Sequence, residues 1–278
     1  TDIVAPSSGT LIWQVAARRS RVDAVRTDFV LSAEIIVIGT VGSHPDGDNF
    51  NEGWKFAREI RTPMVDEHYY RPSQWFLDNL NRYDTYDRNG PKVYAGEYAS
   101  RGNAWSNALA EAAYMTALER NGDVVRLASY APLLASQKHT QWRPDLIYFD
   151  NTRVLRSANY HVQQMFGQNS GDVYLATTVE SAFTNLATSC VQDSKTGDVI
   201  LKLVNTSTSP VVAKCNLSSI PQLKPDATRT FLAGDLGSLN SFDAPDVIQP
   251  RSEPFPLSGP LVCELPATSF TLIRMKTR

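Results

Sequence analysis

The spacing of apolar and polar positions along this chain changes near residue 170. Before that point, short continuous apolar runs alternate with segments whose apolar residues recur at helical spacing. The predicted strands are 35–38, 64–68, 93–97 and 124–130, and the predicted helices are 50–60, one opening at Ser73, 105–120 and 157–166, the last ended by Gly167. Continuous apolar strands separated by helices indicate a parallel sheet covered on its outer face, so four β/α units are predicted.

After residue 170, short strands alternate apolar and polar positions and are separated by clusters of Pro, Gly, Ser and Asn. Examples are 173–180, 199–204, 228–232 and 269–275. This pattern is typical of an antiparallel β-sandwich. The predicted fold class is therefore α/β plus all-β, with a partial (β/α)8 TIM-type barrel followed by an antiparallel β-sandwich.

Half a barrel would leave the strands at 35–38 and 124–130 with unpaired edges, which something must cover. Segment 1–31 offers one plausible strand, 11–16, followed by the basic run Arg18-Arg19-Ser20-Arg21, so it does not supply four more strands. The alternatives are a homo-oligomer and a missing N-terminal half that completes the barrel.

Charge and composition exclude several classes of function. The formal net charge is −2, and Lys and Arg are scattered along the chain, so we predict no nucleic-acid partner. No apolar run is long enough to span a bilayer and no charged-then-apolar leader opens the sequence, so we expect a soluble chain whose signal peptide, if any, has been removed. Cys190, Cys215 and Cys263 lack metal or redox spacing, which favours free buried thiols.

The candidate chemistry lies at strand ends, because barrel sites form at the carboxyl-terminal face. Alternation along the strand at 64–68 and beyond places Asp66, His68 and Tyr70 on one side, and Glu67 and Tyr69 on the other. A pocket built there would hold a histidine and a phenol together.

The next strand ends in Glu97, directly after Gly96, whose missing side chain would allow a ligand to approach closely. Trp142 lies in the loop after the following strand. One well-placed carboxylate among aromatic residues favours sugar chemistry, although glycoside cleavage normally requires two carboxyl groups.

Several motifs occur in the order found in one known family, and they extend from about residue 33 to the end of the chain. They include Gly53-Trp54-Lys55-Phe56-Ala57-Arg58, Val65-Asp66-Glu67-His68-Tyr69-Tyr70, Lys92-Val93-Tyr94-Ala95-Gly96-Glu97, Trp142-Arg143-Pro144-Asp145 and Leu265-Pro266-Ala267-Thr268-Ser269-Phe270. The chain resembles the second half of glycoside hydrolase family 51, the α-L-arabinofuranosidases. The resemblance implies barrel strands 5–8 and three divisions: an unmatched segment 1–32, a half-barrel catalytic-type domain 33–169 and a β-sandwich domain 170–278.

The resemblance also implies roles for individual residues. Glu97 is similar to the nucleophile of a retaining mechanism, while His68 and Tyr70 resemble the pair that orients this carboxylate and the sugar hydroxyls. Tyr69 and Trp142 are predicted to contact the substrate as apolar walls, and Trp75 is a further candidate for such a wall.

The family's acid/base glutamate follows an asparagine upstream of the strand at 35–38, and segment 1–31 contains neither that dipeptide nor any glutamate. The pair Asn51-Glu52 falls at a predicted helix start, so we interpret Glu52 as a charge favoured by the helix dipole. Asp66 and Glu67 are the candidates for a substitute acid. His44, Asp46 and Asp48 have a metal-like composition, but their segment is interpreted as a turn.

The predicted function is a retaining α-L-arabinofuranosidase that releases arabinofuranose from an arabinose-containing polysaccharide or oligosaccharide, such as arabinan or arabinoxylan. Two alternatives stay open: a catalytically impaired relative acting as a carbohydrate-binding or interaction module, and a hydrolase of xylosides or β-glucans. We predict no cofactor, no metal site, and no nucleic-acid or membrane partner. The substrate class favours secretion over a cytoplasmic location.

Overall fold

The computed structural model describes residues 44–140, 142–178, 185–218, 220, 223–257 and 261–277. The strands predicted at 11–16 and 35–38 lie outside the described residues. The described chain divides into two compact units. The first contains 44–70, 86–98 and 123–129, and the second contains 71–85, 99–122 and the residues from 130 onward.

Helices and strands alternate through the first part of the described chain. In chain order they are α1 (Asp48–Glu59), β1 (Met64–Arg71), α2 (Ser73–Asp78), β2 (Lys92–Ser100), α3 (Trp105–Arg120) and β3 (Val125–Tyr130). The predicted elements in this region are confirmed, with α3 at the predicted bounds. The three strands form one sheet in the order β1-β2-β3, so β2 lies in the middle.

Backbone hydrogen bonds set the direction of these strands. The amide of Lys92 donates to the carbonyl of Pro63 at 2.9 Å, and the amide of Arg101 donates to the carbonyl of Arg71 at 2.8 Å. The starts of β1 and β2 are therefore adjacent and so are their ends, which makes the pair parallel. Carboxyl ends of parallel strands share one edge of the sheet, and this brings the predicted site residues together.

Helix α1 packs in the first unit through an aromatic residue. It begins after Gly47, whose φ of 90° favours glycine, and carries Asp48 in its first turn, where the helix dipole favours negative charge. Trp54 and Ala57 are its buried positions, besides a glycine. The indole of Trp54 donates to Glu67 of β1 at 3.1 Å, which joins the helix to the sheet.

A small sheet follows in the second unit and was not predicted. It contains β4 (Leu134–Ser136), β5 (Ile147–Phe149) and β6 (Val154–Arg156). Each strand has three residues, which is too short for a periodic apolar pattern to appear in the sequence.

Helix α4 (Ala158–Gln168) begins after Ser157, whose hydroxyl accepts from the amide of Tyr160 at 3.2 Å. The prediction that Gly167 ends this helix was wrong. A glycine inside a helix costs only about 1 kcal/mol, and the end is instead set by Asn169, whose side chain donates to Met165 O at 2.9 Å.

The C-terminal part is an antiparallel β-sandwich, which confirms that prediction. Its strands are β7 (Val173–Tyr174), β8 (Leu186–Gln192), β9 (Val199–Asn205), β10 (Val211–Cys215), β11 (Leu223–Ala233), β12 (Arg251–Pro256), β13 (Leu261–Leu265) and β14 (Ser269–Thr277). One sheet has the order β12-β11-β14-β9-β8-β7, and β10 pairs with β13 in the other.

The central strand β9 is buried on both faces, so all seven of its positions are buried. Ile200 and Val204 join the apolar cluster formed with helices α3 and α4. Leu201 and Leu203 join the cluster that includes residues of β10 and β13. Alternation along one strand therefore serves two cores, which stabilises the second unit through burial worth roughly 1.5–3 kcal/mol for each large aliphatic side chain.

The three cysteines are free thiols. Burial raises the pKa of Cys190 and of Cys215 to about 11, so both are protonated near neutral pH. Within the described ranges, no helix has both the length and the apolar character needed to cross a membrane.

Candidate active site

Four side chains of the first unit meet at the carboxyl-terminal edge of the parallel sheet. Asp66, His68 and Tyr70 occupy alternate positions of β1, so they project to the same side. Glu97 projects from β2 and reaches two of them. The sequence predicted this grouping, and the structure brings these residues together.

The carboxylate of Glu97 is held by a phenol and lies beside an imidazole. Tyr70 donates from its hydroxyl to Glu97 Oε2 at 2.8 Å. His68 Nδ1 lies 3.6 Å from the same oxygen. The Glu97 side chain is 46% exposed, so its carboxylate is oriented and still open to a ligand.

Tyr70 is a neutral donor in this arrangement. Burial raises the pKa of its phenol well above the ordinary value, and the neighbouring Glu97 carboxylate raises it further. The hydroxyl therefore keeps its hydrogen near neutral pH and donates it to the Glu97 carboxylate.

The main partner of His68 is Asp66, for which the sequence predicts only the role of a substitute acid. His68 Nε2 lies 2.8 Å from Asp66 Oδ2, and the hydrogen bond to Asp66 is the main cause that raises the pKa of His68. The other carboxylate oxygen, Oδ1, accepts from the amide of Gly96 at 2.9 Å. Asp66 is buried, and both of its carboxylate oxygens make hydrogen bonds. We therefore do not propose it as the acid. The i, i+2 spacing of Asp66 and His68 on one strand is the signal that could have predicted their contact.

The space beside Gly96 is filled by this carboxylate. A Cβ at position 96 would fall far inside contact distance of Asp66 Oδ1. The sequence predicts that a ligand approaches where Gly96 lacks a side chain, but the structure places the Asp66 carboxylate there. Position 96 therefore faces Asp66, while the neighbouring Glu97 carboxylate contacts Tyr70 and lies near His68.

Glu67 lies on the opposite side of β1, as the alternation predicted. Its side chain is fully buried, and Oε1 accepts from Trp54 Nε1 at 3.1 Å and from the hydroxyl of Tyr86 at 2.8 Å. The rings of Trp54 and Tyr86 meet edge to face with centroids 5.4 Å apart. These contacts join α1, β1 and the segment before β2. We therefore do not propose Glu67 as the acid either.

The aromatic residues predicted to contact the sugar as apolar walls differ in how far they are exposed. Tyr69 is fully buried, and its ring centroid lies 6.2 Å from that of Tyr98. It offers no exposed surface to a sugar, so we do not propose it as a substrate contact. Trp142 is 49% exposed in the loop between β4 and β5 of the second unit. Trp75, also of the second unit, packs against Phe76 in α2. The substrate contact predicted for Trp142 stays a prediction.

Glu52 lies on the exposed face of α1, where its carboxylate is 3.5 Å from Lys55 one turn along the helix. This placement agrees with a helix surface charge. Among the residues that the structure describes, no group of three or more His, Cys, Asp or Glu side chains is arranged to hold a metal ion.

The chain is similar to known proteins over most of its length. Residues 78–269 match the family described as Alpha-L-arabinofuranosidase C-terminal domain. An extracellular exo-alpha-L-arabinofuranosidase of Streptomyces chartreusis is 58% identical over 139 residues, which are 50% of this chain and 17% of that protein. Alpha-L-arabinofuranosidase 1 of Arabidopsis thaliana is 26% identical over 218 residues, which are 74% of this chain and 32% of that protein. The chain thus spans a third or less of these relatives.

Solved structures show the same likeness. The arabinose-bound MgGH51 α-L-arabinofuranosidase superposes with a TM-score of 0.74 and 31% identity, over 78% of this chain and 37% of that one. The GH51 α-L-arabinofuranosidase of Thermotoga petrophila gives a TM-score of 0.62 at 14% identity, which shows similarity of fold alone.

Proposed function

Because this chain belongs to the family of α-L-arabinofuranosidase C-terminal domains, we propose that it carries the nucleophile of a retaining α-L-arabinofuranosidase of glycoside hydrolase family 51. The observation that carries the proposal is the Glu97 carboxylate, open to solvent while Tyr70 holds it at 2.8 Å. A carboxylate fixed by a neutral donor and still accessible is what attack on an anomeric carbon requires.

The proposed reaction follows from this geometry. A Glu97 oxygen attacks the anomeric carbon of an arabinofuranoside, and the bond to the leaving group breaks with its electron pair, so a glycosyl ester forms on Glu97. Water then hydrolyses the ester and restores the carboxylate. Tyr70 and His68 keep the carboxylate in position during both steps.

The parallel pair β1 and β2, with β3 beside β2 and helices between the strands along the chain, supports a partial (β/α)8 barrel equivalent to strands 5–8. We retain the proposed division into a segment 1–32, a half-barrel 33–169 and a β-sandwich 170–278. A second copy of the chain or an N-terminal half would complete the barrel. The relative described as extracellular supports secretion.

The proposed substrate is an arabinose-containing polysaccharide or oligosaccharide. Neither Asp66 nor Glu67 is placed to act as the acid, so the proposal assigns no acid/base residue within the described chain. General acid help matters most when the leaving group is poor. A dinitrophenyl α-L-arabinofuranoside, whose leaving group needs no proton, is therefore the substrate that tests the nucleophile alone.

The experiment is a stopped-flow measurement of dinitrophenolate release. We expect a burst whose amplitude approaches the protein concentration, with Glu97→Gln abolishing it and the exposed-surface control Glu52→Gln retaining it. No burst, with arabinose binding retained, would overturn the enzymatic proposal and favour a carbohydrate-binding module. A faster burst on xylosides or β-glucosides would overturn the proposed sugar, while the proposal of a glycoside hydrolase would stand.

A further inference from the structure

Asp66 connects two parts of the site that are separate in the sequence. One of its oxygens accepts from the amide of Gly96, next to the proposed nucleophile, and the other lies 2.8 Å from His68 Nε2. We propose that Asp66 is a positioning residue that orients the imidazole of His68 so that its titrating nitrogen, Nδ1, faces the carboxylate of Glu97. This inference rests on the proposed function, because it deepens the role of the same site.

The contact between Asp66 and His68 decides which ring nitrogen carries the hydrogen. A carboxylate can only accept hydrogen bonds, so the hydrogen in this contact lies on His68 Nε2. The second ring nitrogen, Nδ1, is then the one that gains and loses a proton as pH changes. Asp66 thus selects the tautomer of the neutral ring.

His68 Nδ1 faces the proposed nucleophile. It lies 3.6 Å from Glu97 Oε2, so protonation of the ring places a positive N–H beside the proposed nucleophile, and deprotonation places a lone pair there. The groups that face His68 are the carboxylates of Asp66 and Glu97, while Tyr70 meets Glu97 as a neutral phenol. The raised pKa of His68, caused first by the hydrogen bond to Asp66, agrees with this arrangement.

Asp66 is itself fixed by burial and by the neighbouring strand. The residue is only 5% exposed, and its Oδ1 occupies the space that a Cβ of residue 96 would need. The orientation of His68 therefore depends on a glycine in the neighbouring strand whose amide donates to Asp66 rather than to the imidazole. A substitution at Gly96 should disturb His68 without removing any charge.

The test is NMR of the histidine ring nitrogens in the full chain, which has four histidines, with His68 assigned from a His68→Gln variant. In the wild type we expect the neutral ring to carry its hydrogen on Nε2 and the ring to titrate above the ordinary pKa. In Asp66→Asn, an isosteric change, we expect the pKa to fall by about one unit or more and the tautomers to mix. The exposed control Asp46→Asn should change neither.

Gly96→Ala provides the second variant. It keeps every charge but displaces Asp66, so the His68 pKa should fall and the tautomers should mix in this variant too, with circular dichroism confirming that the chain is folded. An unchanged tautomer and pKa in folded Asp66→Asn or folded Gly96→Ala would overturn the proposal, as would a wild-type ring that carries its hydrogen on Nδ1.

The NMR result is independent of turnover, so the two proposals can fail separately. In Glu97→Gln we expect the burst to vanish while the Nε2–H tautomer of His68 is kept. Absence of a burst in the wild type would overturn the proposed function, whereas a changed tautomer in Glu97→Gln would show that Glu97, rather than Asp66, orients the ring. In Asp66→Asn the limb of the burst-rate pH profile that reports titration of His68 should shift to lower pH, a change that a purely structural role would not produce.

Discussion

Tyr70 and Glu97, which lie on neighbouring parallel strands, share a hydrogen bond of 2.8 Å in which the phenol donates to the carboxylate. The phenol stays neutral because burial and the adjacent charge raise its pKa. Removing the hydroxyl while keeping the ring should therefore show what this phenol contributes to the site.

Tyr70→Phe is predicted to slow ester formation about 10–100-fold, because a hydrogen bond to a charged group is worth about 1.5–3 kcal/mol. The burst rate on the dinitrophenyl arabinofuranoside measures this loss. Tyr160→Phe, a half-buried tyrosine of the second unit, is the matched control and should leave the rate unchanged. An unchanged rate in Tyr70→Phe would mean that the phenol does not position Glu97.

Glu67→Gln is predicted to leave the burst rate within about threefold of wild type, since Trp54 and Tyr86 both donate to Oε1 and an amide oxygen can still accept these hydrogen bonds. The comparison should include a phenyl arabinofuranoside, whose leaving group is poorer. A selective loss of activity on that substrate would restore Glu67 as an acid.

The candidate site shows how far one sequence predicts geometry. Alternation along β1 was enough to separate Asp66, His68 and Tyr70 from Glu67, because a strand has a fixed period of two. The contact between Asp66 and Gly96 depends on the register of two strands, which a single sequence does not contain. For the same reason, the sequence suggested that Gly96 admits a ligand, whereas a side chain of the neighbouring strand lies there.

The fold likewise contains elements that the sequence predicts and elements that it does not. Helix α3 was predicted at its observed ends because helix-forming residues continue up to the Asn121-Gly122 stop. The strands β4, β5 and β6 were not predicted, since three-residue strands are defined by their pairing and carry no periodic signal. Full burial of Tyr69 was also not predicted, because an aromatic residue beside the site has the same sequence pattern whether it faces a core or a ligand.

Glu111 of α3 makes stability depend on pH. It is fully buried, and burial raises its pKa to about 8 from the ordinary value of 4.5, while the amide of Ser100 donates to Oε1 at 2.8 Å. The folded chain therefore holds a proton that the unfolded chain releases at lower pH. Its stabilising effect is complete below pH 4.5 and is lost as pH rises towards 8.

We expect Glu111→Gln to remove this dependence, because the amide cannot ionise and its oxygen still accepts from Ser100. The wild type should lose stability relative to this variant by up to about 1.4 kcal/mol per pH unit across that window. Denaturant unfolding at pH 5 and at about pH 8 measures the difference, with Glu52→Gln as an exposed control. Parallel pH dependence of wild type and Glu111→Gln would contradict the assignment.

Lys202 and Glu119 form an ion pair in the second unit. The ammonium of Lys202 is fully buried 2.6 Å from Glu119 Oε1, and Ser189 donates to Oε2 at 2.5 Å. Burial lowers the pKa of Lys202, which the carboxylate partly offsets. Loss of the carboxylate would leave an unpaired charge in the core.

Glu119→Ala is therefore predicted to destabilise the protein by about 3–5 kcal/mol, whereas Lys202→Met, which removes the buried charge and keeps an unbranched side chain, should cost less. Thermal unfolding of both variants at neutral pH measures the order. A larger loss in Lys202→Met would show that the ion pair itself, rather than the cost of an unpaired ammonium, stabilises this region.

The most direct test of the central claim is to locate the covalent sugar. The wild type is mixed with dinitrophenyl α-L-arabinofuranoside, quenched in acid during the burst, digested and analysed by peptide mass spectrometry. We predict one pentosyl group on the peptide that contains Glu97, and none in Glu97→Gln. A burst that leaves this peptide unmodified, or a sugar attached to another carboxylate, would contradict the account.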